Sequence, residues 1–437
     1  MVRPGMLVAS MASGVVVLKQ RKSLSDRFGV VTVEILRNRT DSERFARAER
    51  FFNGSIGRCS LTMVKAVWIV SLSVSSATAQ SASDSSEVVR HPALDEMLAE
   101  TLSHSDMPGV VVAVARVGQP VQMGCAGLRN FKEAEPITID DKMHLGSCTK
   151  AMTATMIGRL VDQGELEWTS TVAKCLPDLV GKIHPDYYAV TLEQLLMHRG
   201  GIPAQAKNWW HPDGDSVTEK RRNILITSLA GKPDIAPGTQ YHYSNLGYMM
   251  AGLMAGTRVG ATWEELMRRE LFDPLQMQTA GFGPPSSAGS LAQPWGHRRV
   301  DEVLRAVQFD NAPALGPAGT VHCSLADWVR FANVHFDRSA PFLTEATRLH
   351  LRTVSPELKS KGQTYALGWR LLRRQWARGP VLSHSGSNTL WYSAIFMAPQ
   401  EQVVYLVATN IAAPETPKEV DKIFQNLIAW DKAHRSE

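Results

Sequence analysis

The sequence has no two cysteines at the short spacing that zinc and iron–sulfur sites use; its five, Cys59, Cys125, Cys148, Cys175 and Cys323, are scattered. It also lacks HExxH, so its thirteen histidines imply no metal site, and no cofactor is expected. No Gly-rich phosphate loop, internal repeat or low-complexity tract is present. After residue 80 no apolar run is long enough to span a bilayer, so a mature chain without a stable membrane span is expected. The four cysteines of the main body are expected to be mostly buried free thiols, because a large core does not need disulfides.

A surplus of one charge is missing too, once it is counted by region. The formal net charge is +5, but residues 1–62 hold 11 Lys and Arg against 5 Asp and Glu. Residues 80–437 carry 35 basic and 37 acidic side chains, a balance of −2. That body has no footprint for a polyanion, and no nucleic-acid partner is expected. With 44% hydrophobic and 20% charged residues, the chain of 437 has enough apolar side chain for one large core or two fused lobes.

Residues 63–79 have the order of a secretory signal: Lys65 near the start, an apolar run over 66–74, then Ala77, Thr78 and Ala79 before Gln80. Such a signal belongs at a start, so Met63 is expected to be the first residue, with 1–62 outside the mature protein. Residues 80–90, which include SASDSS, are expected to form a flexible leader, and residues 91–437 the folded domain. A periplasmic or secreted protein follows.

Within that domain, β-branched runs at 110–117 and 121–127, with Gly118 between them, predict a hairpin. After Gly146 the spacing of Met152, Met156, Ile157, Leu160 and Val161 predicts a helix that stops at Gly164. Helical patches broken by Pro and Gly fill about 178–324. Apolar strands follow at 391–397 and 403–409, then a charged terminal helix from about Pro417. The expected class is α+β: an antiparallel sheet built from both ends of the chain, flanked by helices, with a mainly helical lobe inserted.

Three short patterns carry chemistry. Ser147, Cys148, Thr149 and Lys150 form SxxK at the start of a helix, and a spacing of three puts both reactive side chains on one face. A serine hydroxyl is a weak nucleophile until a base takes its proton, and a desolvated lysine can be that base. Tyr243, Ser244 and Asn245 form the single YxN, in which a phenol can relay a proton and an amide can grip lysine and substrate. His384, Ser385, Gly386 and Ser387 lead into an apolar strand, where Gly386 permits close approach of substrate backbone. His144 with Gly146 and His198 with Gly200 repeat the HxG pattern, so only the strand after Trp391 singles out His384.

In this order the patterns resemble the serine β-lactamase and penicillin-binding protein superfamily, in its class C β-lactamase, D-alanyl-D-alanine carboxypeptidase and family VIII esterase branch. The stretches ITIDDKMHLGSCTKAMTA at 137–154, VTLEQLLMHRGGIP at 190–203, YSNLGYMMAGL at 243–253 and GPAGTVHCSLADWVRFA at 316–332 support it, over roughly residues 90–435. The resemblance implies a β-lactamase/transpeptidase-like fold. It also implies that Ser147 is the acylated nucleophile, Lys150 and Tyr243 its acid/base partners, and Asn245 a substrate anchor. Ser147 and Ser387 would supply the backbone oxyanion donors, and His384 would orient the substrate. Dedicated class C lactamases carry KTG where this chain has HSG, so a permanent cation is missing there.

The expected reaction is hydrolysis of an amide or ester bond through an acyl-enzyme. Short esters, D-amino-acid peptides and β-lactams are the small-molecule or peptide substrates in view. A non-catalytic penicillin-binding sensor or a degenerate scaffold is the alternative. His384, with an ordinary pKa of about 6.5, is expected to lose its charge between pH 6 and 8 and with it any preference for anionic substrates. Trp209, Trp210 and His211 are expected to form either an aromatic cleft wall or a hydrophobic anchor. Trp391 and Tyr392 are expected to pack a strand, Cys148 to be a small core residue, and the other histidines to be structural or solvated.

Overall fold

The computed structural model describes residues 87–336 and 342–434 and, as backbone, three short strands before them. Those three, Met6–Met11, Gly14–Gln20 and Val31–Leu36, form a separate antiparallel unit with Gly14–Gln20 in the middle. The expected signal at 63–79 lies outside the described residues.

The main unit is built on a seven-stranded sheet: β1 (Val88–Arg90), β2 (Gly109–Arg116), β3 (Val121–Gly127), β4 (Arg370–Leu372), β5 (Val381–Ser387), β6 (Tyr392–Ala398) and β7 (Val403–Thr409). Their spatial order is β4-β5-β6-β7-β2-β3-β1. Both ends of the chain therefore meet at the central β7–β2 pair, as expected. Two details differ from the sequence reading. Val88–Arg90 is a strand, not leader, because two β-branched valines find the open edge of β3. They pair with it in parallel, so the sheet is mixed.

Central strands are apolar at nearly every position because helices cover both faces of the sheet. On β7, Val404, Leu406 and Ala408 face one core, while Val403, Tyr405 and Val407 face the other. The second core is closed by helices α1 (Pro92–Ser103) and α5 (Thr416–Ala433). The first lies under α2 (Thr149–Asp162), α3 (Asn245–Val259) and α4 (Leu325–Asn333). Helix α2 is buried on almost all sides, including Thr149, Lys150, Thr153 and Thr155, which makes it the axis of the molecule's helical half. Cys125, Cys148, Cys175 and Cys323 are buried free thiols. No described helix is long and apolar enough to cross a membrane.

Candidate active site

A tight 3-10 turn, Gly146–Cys148, leads directly into α2. Residues three apart at the start of a helix share one face, which sets Ser147 beside Lys150. Lys150 Nζ stands 3.0 Å from Ser147 Oγ, 2.7 Å from Asn245 Oδ1 and 2.7 Å from the Ala318 carbonyl. The Lys150 side chain is completely buried, and among the described residues no carboxylate pairs with it. Burial therefore drives its pKa well below the ordinary lysine value. Tyr243 donates its phenolic O–H to Ser147 Oγ at 2.9 Å, and its ring lies 4.8 Å from Nζ. Burial raises the Tyr243 pKa, against a smaller opposing effect of the Ser147 contact, so the phenol keeps its proton.

Glycine explains how the third motif reaches the first. A Cβ on Gly146 would lie 2.4 Å from Ser387 N, and one on Gly386 would lie 2.1 Å from Leu145 O and 2.5 Å from Ser147 N. Gly146 also takes φ +49°, a left-handed value that glycine adopts without strain. The Gly146–Cys148 turn and the end of β5 thus touch backbone to backbone. Gly386 serves that internal contact, where the sequence reading had given it to substrate backbone. Ser147 and Ser387 stand on either side of the contact, and N–H groups in the first turn of a helix lack acceptors within it.

His384 does not carry the titratable charge expected of it. Its Nδ1–H donates to the Ser385 carbonyl at 2.8 Å, and its Nε2 accepts the Tyr365 O–H at 2.9 Å. Both nitrogens are used inside the protein. Burial, helped by the Lys150 charge, lowers its pKa to about 3, so it has no charge to lose between pH 6 and 8.

A cation stands on the strand next to the HSG motif. Arg370, at the start of β4 opposite Ser383, is exposed, and its charge acts on Tyr241, Tyr243, His384 and Tyr392. It lines an open cleft of about 490 Å³ together with Tyr243, Tyr365, His384, Ser385 and Tyr392. Among the described residues no carboxylate pairs with Arg370. Tyr392 therefore faces the cleft, whereas Trp391 is buried in the strand packing that was expected for both. Trp209, Trp210 and His211 line a second pocket of about 400 Å³ with Pro313. Trp209 packs against the core as an anchor, and Trp210 stacks on exposed Phe309 at 4.9 Å as a wall.

Two further histidines hold the site. His198, in a left-handed backbone conformation at φ +57°, accepts the Ser244 N–H on Nδ1 at 3.0 Å, and its ring lies 4.3 Å from that of Tyr243. His144 accepts the Gly146 N–H on Nδ1 at 3.1 Å. Both matched HxG and were expected to be structural or solvated; both are buried and structural. The Ala318 carbonyl had no side-chain signal at all. Cys148 faces the carbonyls of His384 and Ser393, and burial raises its pKa, which fits a core residue. Among the described residues no group of three or more His, Cys, Asp or Glu side chains could hold a metal ion.

Known proteins carry the same framework. The chain is 27% identical over 318 residues to penicillin-binding protein 4 of Amycolatopsis lactamdurans, covering 70% of this chain and 81% of that protein. It is 26% identical over 290 residues to a β-lactamase of Escherichia coli K12, covering 66% and 71%. The crystal structure of D-amino acid amidase from Ochrobactrum anthropi SV3 superimposes with a TM-score of 0.64 at 19% identity, over 79% of this chain and 99% of that one. The sequence profile of the β-lactamase family matches residues 94–429, and with the Ser147–Lys150–Tyr243 geometry in place, this chain belongs to the β-lactamase family of serine hydrolases and penicillin-binding proteins.

Proposed function

We propose that the protein hydrolyses amide or ester bonds through an acyl-enzyme on Ser147, and that its preferred substrates carry a carboxylate on the leaving-group side. The observation that carries this reading is the three-way contact of Lys150 Nζ. A neutral amine has two N–H donors and one lone pair. Asn245 Oδ1 and Ala318 O can only accept, so they take the two donors, and the lone pair faces Ser147. An ammonium would also fill the three contacts, but as a buried charge with no counterion, which burial penalises.

In the reaction Lys150 takes the Ser147 proton as Oγ attacks the carbonyl carbon. The backbone N–H groups of Ser147 and Ser387 receive the oxyanion. Tyr243 gives its proton to the leaving nitrogen or oxygen as the bond breaks, and recovers one from Lys150. Water then repeats the sequence on the acyl-enzyme, with Lys150 taking its proton and Ser147 leaving. Asn245 Nδ2 remains for the substrate carbonyl, and Arg370 with Ser385 for the carboxylate. The relatives support an acyl substrate, since their names cover penicillin binding, β-lactams and a D-amino acid amide.

The test is a turnover panel of a peptide ending in D-Ala-D-Ala, its C-terminally amidated form, a p-nitrophenyl ester and nitrocefin. Multiple turnovers with a phosphonate adduct mapped to Ser147 are expected, and the free-carboxylate peptide should be cleaved at least about tenfold faster than its amide. An adduct elsewhere rejects the nucleophile, and equal rates for the two peptides reject Arg370. We also propose export, on the strength of residues 63–79. N-terminal sequencing of the protein from its host should begin near Gln80, and an intact Met1 would reject it.

A further inference from the structure

Asp310 is a buried carboxylate that the chemistry above does not use. One of its oxygens, Oδ1, accepts the Asn311 N–H at 2.6 Å and the Asn388 Nδ2–H at 2.9 Å, and lies 2.8 Å from His144 Nε2. The other, Oδ2, is buried with no partner. His144 Nδ1 accepts the Gly146 N–H, so the ring proton sits on Nε2, on the side of Asp310. It lies off the straight line of a good hydrogen bond, which makes the contact chiefly electrostatic.

What these residues join is more telling than the contacts themselves. His144 holds Gly146, the residue before the nucleophile. Asn388 is the residue after Ser387, and its Oδ1 accepts the N–H groups of Leu390 and Trp391, fixing the turn between β5 and β6. Asn311 donates to the Gly319 carbonyl, one residue beyond the Ala318 that contacts Lys150. A single carboxylate oxygen thus ties together both flanks of the backbone contact at Gly146 and Gly386.

We infer that Asp310, His144 and Asn388 are positioning residues that hold the Ser147 and Ser387 N–H groups at the separation an oxyanion needs; this rests on the acyl-hydrolase reading. Core packing alone does not ask for this arrangement. A carboxylate with one unpartnered buried oxygen is a costly way to satisfy two neutral amides and a neutral imidazole. Donors that must be in place before charge develops do call for such a fixed frame.

The experiment compares Asp310→Ala, Asp310→Asn and His144→Asn in the full chain. Each is assayed for kcat and KM on one ester, for affinity toward a boronic acid that forms a tetrahedral adduct on serine, and for affinity toward the acid product. Asp310→Ala should lower kcat about 100-fold with KM changed less than about threefold, and weaken the boronate by the same factor as kcat/KM, while product affinity holds. Asp310→Asn keeps the accepting oxygen and should recover activity to within about fivefold of wild type. If the Ala variant does not fold, His144→Asn decides: it keeps an acceptor for Gly146 but withdraws from Asp310, and should lose about tenfold in kcat and in boronate affinity together. Unchanged kcat in the folded variants, a loss confined to KM, or Asp310→Asn falling as far as Ala would overturn the clamp. A wild type with no phosphonate adduct on Ser147 would instead break the acyl-hydrolase reading beneath it.

Discussion

The reactive cluster and the cleft wall around Arg370, which meet at Tyr243, are built in opposite ways. Ser147, Lys150, Tyr243 and Asn245 are tied to one another by contacts of 2.7–3.0 Å, with the lysine wholly out of water. Arg370 stands exposed at the edge of a three-residue strand, without a carboxylate partner among the described residues. The first arrangement spends burial on shifting protonation states, so that a base and an acid coexist at one pH. The second keeps a full charge hydrated and available. The proposed chemistry is thus placed inside the protein, and the proposed selectivity at an exposed strand edge.

Substitutions on the two sides should therefore fail differently. Ser147→Ala removes the nucleophile and should lower kcat by at least about 10⁴-fold on every substrate, measured by single-turnover assays at saturating enzyme. Tyr243→Phe keeps the ring against His198 but deletes the proton donor, and should cost about 10²- to 10⁴-fold, least for esters whose leaving group needs no proton. Arg370→Gln should cost about 10- to 100-fold in kcat/KM for a free-carboxylate peptide, as loss of a charge-assisted bond of roughly 1.5–3 kcal/mol, and almost nothing for a neutral ester. An equal loss on both would place Arg370 in the reactive cluster and erase the contrast.

The smallest effect is a flat line. His384 is neutral in the folded protein, since burial lowers its pKa to about 3, and an arginine stays charged. The ratio of kcat/KM for a carboxylate-bearing substrate to that for a neutral ester should thus stay level between pH 6 and 8. A ratio that falls over that range would restore His384 as the group that reads the carboxylate.

The sequence was most legible where chemistry depends on local spacing. SxxK placed Ser147 and Lys150 on one helical face, and YxN placed Tyr243 and Asn245 at the start of α3, because both patterns lie within a single turn. The strands were legible from continuous apolar runs, since helices cover both faces of the sheet. Arg370 was not, because its position depends on β4 pairing with β5, where its partner Ser383 lies thirteen residues downstream, and an arginine in WRLLRR looks like any solvated charge. His384 was misread for the same reason. Its pKa is set by burial and, after that, by the Lys150 charge, neither of which the motif contains. The strand at Val88–Arg90 was hidden in a polar stretch, and three residues are too few for periodicity to speak.

The central claim is that Lys150 is a neutral amine in the resting protein. An NMR titration of lysine ε-carbons, with Lys150 assigned by comparison with Lys150→Gln, tests it directly. Below its depressed pKa Lys150 is protonated and cannot take the Ser147 proton, and above it the base is ready. The account predicts a Lys150 midpoint well below the ordinary lysine value of about 10.4, coincident with the acidic limb of kcat/KM. A midpoint at the ordinary value, with activity already full beneath it, would contradict it.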